Sequence, residues 1–302
     1  MRLLRFTVLL TALLQHALGW GGLGHQTVAY LAYEFLGSDT RSYLEDLLAN
    51  NQGFDFADAA TWPDAIRNRR PYSKPWHYID GRDSPPSQCG IKYPDDCGDN
   101  PEDGCIITAI ANQTAIFTDT SQPDNLRKEA LMYLMHFIGD IHQPLHTEDA
   151  YRGGNELDVC FGRACSRVNL HSVWDTYIPH KIVGLRSSAD KAEEKSAAKS
   201  WADKLFGAAV GVHLVDECHD LTDSEKCSLL WARETNRLVC SYVLKKPIDW
   251  LESHDLSQEY YEGAKPLVEK AITAAGVRLA GWLEAMVQAV SASETGNNDL
   301  EL

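Results

Sequence analysis

Apolar residues recur at helical spacing through most of this chain. The clearest stripe runs near the C-terminus through Leu267, Val268, Ala271, Ile272, Ala275, Leu279, Trp282, Leu283, Met286, Val287 and Val290. That period lays one face of a long helix against a core. Similar periodicity predicts helices around 24–36, 105–118, 125–141, 192–211 and 225–243, and no alternation of apolar and polar positions is long enough to demand a sheet. The pattern therefore predicts an all-α fold, with long loops near 71–103 and 143–165. Lys191 to Lys199 mixes charges of both signs at helical spacing and reads as a solvated face. Beyond Val290 the sequence is polar and loses the apolar period, so a disordered tail is expected over 291–302.

The N-terminus breaks this pattern in a different way. Arg2 and Arg5 precede an apolar run that closes on Ala17-Leu18-Gly19, which predicts a secretory signal peptide over 1–19, cleaved before Trp20. The run falls short of the ~20 residues that span a bilayer and no second one follows, so no membrane anchor is expected. The mature chain, secreted and extracellular, should form one compact domain over 20–290, since no linker, repeat or low-complexity block divides it. Eight cysteines suit an oxidising compartment and permit a disulfide-stabilised fold. Their spacing suggests short loops closed by Cys97 with Cys105, Cys160 with Cys165 and Cys218 with Cys227, leaving Cys89 and Cys240 for a long-range bridge. A zinc-thiolate site is less consistent, because no C-x-x-C pair occurs. Asn112-Gln113-Thr114 is an N-glycosylation sequon.

Charge limits the partners. The chain carries formal charge −15, and loss of Arg2 and Arg5 with the leader makes it more acidic still. No broad basic surface is available to hold a polyanion by counterion release. A phosphodiester substrate would need its charge met locally, for which bound metal ions are the obvious source.

Histidines supply the candidates. His136 and Asp140 lie four apart on an apolar helical stretch and so project from one face; His171 and Asp175 repeat that geometry. Either pair alone is what a buried histidine hydrogen-bonded to an aspartate would give. Two pairs, joined by His146 beyond Pro144, His77 and Asp64, make an imidazole–carboxylate set suited to zinc. The mature N-terminus adds to it. An α-amine loses its proton to a metal more readily than lysine does, so Trp20 could chelate through its amine and carbonyl while His25 arrives from the first helix.

In Trp20-Gly21-Gly22-Leu23-Gly24-His25, Trp62-Pro63-Asp64-Ala65-Ile66-Arg67, Trp76-His77-Tyr78, the run His136 to His146, Gly153-Gly154-Asn155 and Asn169 to Asp175, the mature chain resembles the secreted, single-strand-specific zinc nucleases of the S1/P1 type, relatives of bacterial zinc phospholipases C. The resemblance implies an all-helical fold around three Zn2+ ions. Asp64, His77 and His136 would bind one zinc, which shares Asp140 with a second held by Trp20 and His25. His146, His171 and Asp175 would bind the third. His142, beside them in sequence, is left outside the ligand set.

The activity so implied is attack of a metal-bound hydroxide on phosphorus in single-stranded RNA and DNA, leaving 5′-phosphate ends, with 3′-mononucleotides as further substrates. Arg67, one turn beyond Asp64, would stabilise the transition state, and Asn155 would hydrogen-bond near the cluster. Tyr78 would stack an unpaired base and Asp80 accept from its edge. A monomer is expected. The leading alternative is a zinc phospholipase C, although no amphipathic membrane-docking helix is evident. A non-enzymatic, zinc-stabilised binding protein would account for the ligands but not for a bridging carboxylate or Arg67.

Overall fold

The computed structural model describes residues 20–298 apart from 50–53, 99–101, 187, 210–217 and 219, with side chains described as far as Thr295. The expected signal peptide lies outside the described residues. Among the described residues twelve α-helical segments follow one another: α1 (Gly22–Phe35), α2 (Ser38–Ala49), α3 (Phe56–Ile66), α4 (Ile106–Thr118), α5 (Asp124–Asp140), α6 (Tyr151–Gly154), α7 (Leu170–Ser172), α8 (Ile178–Val183), α9 (Lys191–Ala209), α10 (Ser224–Leu238), α11 (Ile248–Ser253) and α12 (Glu259–Asn298). Among the described residues β-structure is limited to isolated bridges such as Asp158 with Asn169. The all-α expectation holds.

The central element is α1, which packs on α9, α12, α3 and α5. Leu23, Val28, Leu31 and Ala32 face the shared core. So do His25, Gln26 and Thr27, and the Thr27 hydroxyl donates to Leu23 O at 2.7 Å. Buried polar side chains on a central helix need partners, since an unpaired one costs about 1–3 kcal/mol. Among the described residues the only polar partner of the His25 ring is the Asp140 carboxylate, 3.2 Å from its Nε2. Helix α5 lies against α4 and α3 and is buried along nearly its whole second half, Ala130 to Asp140.

Helices α2 and α3 are absent from the periodicity reading. In α2 only Thr40, Leu44, Leu47 and Leu48 are buried, a stripe too thin to stand out. In α3 the inward positions are mostly alanine and Pro63 interrupts the segment, while Asp55 caps it by accepting from Asp58 N at 2.9 Å. Over the first part of the expected tail α12 continues past Val290 to Asn298, while residues 299–302 lie outside the described residues. Its continuation is solvent-exposed from Ser291 to Thr295. It needs no core, because a formed helix extends at little cost once nucleated, and the hydroxyls of Ser293 and Thr295 bond back to Ala289 O and Ser291 O.

Four disulfides join the expected cysteines: Cys97 with Cys105, Cys160 with Cys165, Cys218 with Cys227, and Cys89 with Cys240. The last spans 151 residues, the others 5 to 9. Loop-closure entropy makes the long bridge the most stabilising, by about 4–5 kcal/mol. Cys89→Ala combined with Cys240→Ala should therefore lower the denaturation midpoint more than loss of Cys160–Cys165. Equal midpoints for the two double variants would contradict this.

Candidate metal centre

Helix α5 supplies the floor of the site. His136 and Asp140, one turn apart, are both fully buried, and α5 can approach α1 because Gly139 faces His25. A Cβ at Gly139 would sit 2.8 Å from His25 Nδ1. The His25 ring stacks on His136 with centroids 3.8 Å apart. Its Nε2 stands 3.2 Å from Asp140 Oδ1. The other oxygen, Oδ2, lies 3.0 Å from His77 Nδ1 and 3.1 Å from His136 Nε2. One carboxylate thus faces imidazoles on two sides, the disposition a bridging ligand needs.

Asp64 closes this half from α3, with Oδ1 3.8 Å from His136 Nε2 and 3.9 Å from His77 Nδ1. Pro63 lacks an N–H and loosens the helical ladder there. In the same turn Ala60 O accepts from His136 Nδ1 at 2.7 Å, which leaves His136 Nε2 turned toward Asp140. Arg67 is 7% exposed and its Nη1 reaches Asp64 Oδ1 at 3.4 Å.

The second half is assembled by loops. Ile79 N donates to His146 O and Asp149 N to Gly81 O, so the chain following His77 runs beside the chain following His146. His146 Nδ1 donates to His77 O at 2.7 Å, and His171 Nδ1 to Gly153 O at 2.6 Å. Tyr151, Arg152 and Gly153 have φ of 54°, 52° and 58°. Such a left-handed turn is costly for the two non-glycine residues. It brings Gly153 O onto His171, and glycine is required at 153 because a Cβ would fall 2.6 Å from Leu145 O. His171 Nε2 lies 3.0 Å from Asp175 Oδ2, whose other oxygen accepts from Gln143 Nε2 at 2.5 Å. Gly21 N donates to Asp175 O at 2.9 Å, which ties the segment after Trp20 to this half.

The donor set fits a metal cation on its own geometry. His146 and His171 spend their Nδ1 protons on backbone carbonyls, so each presents a lone pair at Nε2. These two nitrogens stand 3.2 Å apart. Two lone pairs at that distance repel unless a cation stands between or beside them, and a carbonyl at Nδ1 is the usual means of orienting a metal-bound histidine. Three groups, His25 with Asp64 and His136, His77 with His136 and Asp140, and His146 with His171 and Asp175, place their donor atoms within 4.8 Å of one another.

Protonation equilibria agree at His25, His146 and Asp140. Burial holds His25 below the usual imidazole value, with His136 adding to the effect. Burial also pulls His146 down to about 3, helped by His171. Burial opposes charge on Asp140, yet His136, His146 and His25 together keep it well below the ordinary carboxylate range. Neutral His25 and His146 beside an ionised Asp140 are in the states in which these side chains bind metal, whereas without a cation Asp140 and Asp64 offset burial to hold His136 up at about 9 and burial pushes Asp175 up to about 7.

The remaining candidates divide. Tyr78 is 38% exposed and lines, with Ile79, Asp80, Asp96 and Cys105, a cavity of about 260 Å³. Burial raises its hydroxyl, with Asp80 contributing. The Asn155 amide donates to Arg152 O at 2.8 Å, and its own backbone carbonyl accepts from Asn169. Asn155 therefore braces the turn that carries Gly153. His142 turns away from the cluster, donating to Ile138 O and accepting from Arg278. Asn112 is exposed on α4. Gln143 and the carbonyls of Ala60, His77 and Gly153 belong to the site, although nothing in the sequence pattern singles them out.

The family model for S1/P1 nucleases matches residues 20–288. The chain is 38% identical to Nuclease S1 of Aspergillus oryzae over 291 residues, covering 94% of this chain and 97% of that one. It is 35% identical over 275 residues to Nuclease P1 of Penicillium citrinum, with coverage of 87% and 96%. To Endonuclease 4 of Arabidopsis thaliana it is 31% identical over 286 residues, with coverage of 91% and 92%. The match begins at Trp20, where the described residues begin.

Proposed function

Because this chain belongs to the S1/P1 nuclease family, we propose that it is a secreted, monomeric, zinc-dependent endonuclease that hydrolyses single-stranded RNA and DNA to 5′-phosphate products and removes phosphate from 3′-mononucleotides. The observation that supports it most directly is the pair of Nε2 lone pairs on His146 and His171 converging at 3.2 Å beside Asp175. Asp64, His77 and His136 would hold one zinc, Trp20 and His25 a second, with Asp140 offering one oxygen to each. His146, His171 and Asp175 would hold the third. The ions these residues would hold would supply Lewis-acid polarisation of the phosphate and a water ionised near neutral pH.

The protein's own groups then position the substrate. Tyr78 is exposed enough to receive an unpaired base, a stacking contact worth about 1–3 kcal/mol, and Asp80 accepts from the base edge in the adjoining cavity. A duplex keeps its bases stacked and cannot insert one. Arg67 stabilises the extra negative charge that develops on the phosphoryl oxygens, and Asn155 keeps the neighbouring turn in place.

The test compares nucleotide release from single-stranded RNA with headgroup release from phosphatidylcholine by the zinc-loaded protein. RNA cleavage alone is expected; headgroup release with intact RNA would assign a phospholipase C, and neither would favour a binding protein. Within the nuclease reading, Arg67→Ala should retain full zinc and lose about 100-fold or more in kcat, since its contact strengthens as charge develops. Zinc loss in that variant would make Arg67 a support for Asp64 instead.

A further inference from the structure

A second cluster of oxygen donors lies outside the metal centre, near Asp96 of the base cavity. Asp83 and Glu148 are far apart in sequence, yet each places a carboxylate oxygen within 4.8 Å of the other and of Cys89 Sγ. Glu148 is 3% exposed. Each carboxylate uses one oxygen on a backbone amide, Asp83 Oδ2 accepting from Gly90 N and Glu148 Oε1 from Ala150 N, both at 2.8 Å. The other two oxygens, Asp83 Oδ1 and Glu148 Oε2, are buried with no donor at ordinary hydrogen-bond distance, and the two carboxyl groups interact with one another. Asn236, fully buried, approaches Asp83 and donates to Thr147 O, and its amide oxygen is likewise without a partner.

Two buried carboxylate oxygens facing one another repel, and removing one from water unpaired costs several kcal/mol. Either a shared proton or a cation must stand between them. Asp96 and Asp149 add negative charge on either side, more than one proton neutralises. We propose that Asp83 and Glu148, with the buried Asn236 side chain beside them, bind a calcium ion distinct from the zinc cluster. The donors are all hard oxygens, which suit Ca2+ with its flexible shell of about 6–8 oxygens and leave room for waters. Cys89 cannot divert the site to a thiophilic metal, because its sulfur is committed to Cys240.

The position gives the ion a task. Asp83 follows Tyr78 and Asp80 on one arm, and Glu148 follows His146 on the other; the arms meet through Ile79 N to His146 O and Asp149 N to Gly81 O. An ion held by both carboxylates clamps the wall of the base cavity to the loop that carries a zinc ligand. This rests on the proposed nuclease reading only for the meaning of the cavity, not for the binding itself.

The experiment therefore uses the zinc-saturated protein without substrate. Terbium(III) is titrated as a luminescent probe and displaced by Ca2+, and thermal midpoints are recorded with CaCl2 or MgCl2. One saturable terbium site per chain, displaced by Ca2+, and a midpoint raised by Ca2+ far more than by Mg2+ are expected. Glu148→Gln and Asp83→Asn should each weaken calcium binding at least tenfold and abolish the midpoint shift, while Asp203→Asn, at an exposed position of α9, should change neither. Absence of a saturable site in the unsubstituted protein would overturn the proposal and leave a shared proton between the two carboxyls. Binding unchanged in both variants would overturn it equally by placing the ion elsewhere. Neither outcome depends on whether RNA is cleaved.

Discussion

Asp140→Ala is expected to strip zinc from the cluster and to cut phosphodiester cleavage by more than about 1000-fold, equivalent to some 4 kcal/mol of barrier, while the helical fold survives. The geometry makes this the most damaging single change. Asp140 Oδ1 serves His25, and Oδ2 serves His77 and His136. Without that carboxylate three imidazoles remain packed together, and the one anion left beside them, Asp64, stands 3.8 Å from His136 and 3.9 Å from His77 and lies to one side. Asp140 is also among the groups that offset burial and lift His136 to about 9, so its removal alters the state of the neighbouring ligand as well. The fold should persist because α5 is anchored by Leu131, Leu134, Met135, Phe137 and Ile138, all fully buried. Zinc stoichiometry, cleavage of single-stranded RNA and far-UV circular dichroism are measured on the same preparation. Full zinc with an unchanged rate would end the bridging assignment, and loss of helical signal would make Asp140 a folding residue.

How far this site is legible in the sequence depends on distance along the chain. The i, i+4 pairs His136–Asp140 and His171–Asp175 are legible because a helical period alone places both members on one face. That the two pairs meet is legible only through resemblance of the motifs between them. The structure adds what neither route carries: Ala60 O, His77 O and Gly153 O, which fix the imidazole tautomers, are backbone atoms and leave no mark in residue type. Gln143, which holds Asp175, stands inside a recognised motif with no period to single it out. Asp83 and Glu148 become neighbours only when two loops pair, and neither lies in a helical stripe. Long amphipathic helices such as α5, α10 and α12 are legible, since their buried faces repeat many times. Helices α2 and α3 are not, because few leucines in one and alanines around Pro63 in the other make weak stripes. The helical stretch of α12 beyond Val290 is not legible for a related reason: an exposed helical extension has no apolar face to announce it.

Retaining one residue before Trp20 is expected to empty or weaken one zinc position and to lower activity in step with it. In the mature chain the proposed ligand is a free amine, and a chain-terminal amine ordinarily titrates near about 7.7–8.0, low enough for a metal to displace its proton at modest cost. In a chain extended by Gly19 that nitrogen is an amide, its lone pair delocalised into the carbonyl, and a very poor donor. The surroundings allow little adjustment. The Trp20 side chain is 0% exposed, and the next residue is fixed to the second half of the cluster by Gly21 N to Asp175 O at 2.9 Å. An added residue must therefore find room beside buried His25 without moving Trp20. The two remaining positions keep all their side-chain ligands, so partial zinc content is expected instead of complete loss. Acetylating the Trp20 amine should do the same without adding a residue, which separates the chemistry of the nitrogen from crowding by an extra side chain. Zinc content and single-strand cleavage are compared among mature, Gly19-extended and acetylated proteins with matched circular dichroism. Equal zinc and equal rates in all three would show that the amine is no ligand, and His25 and Asp140 would then have to hold the second ion without it.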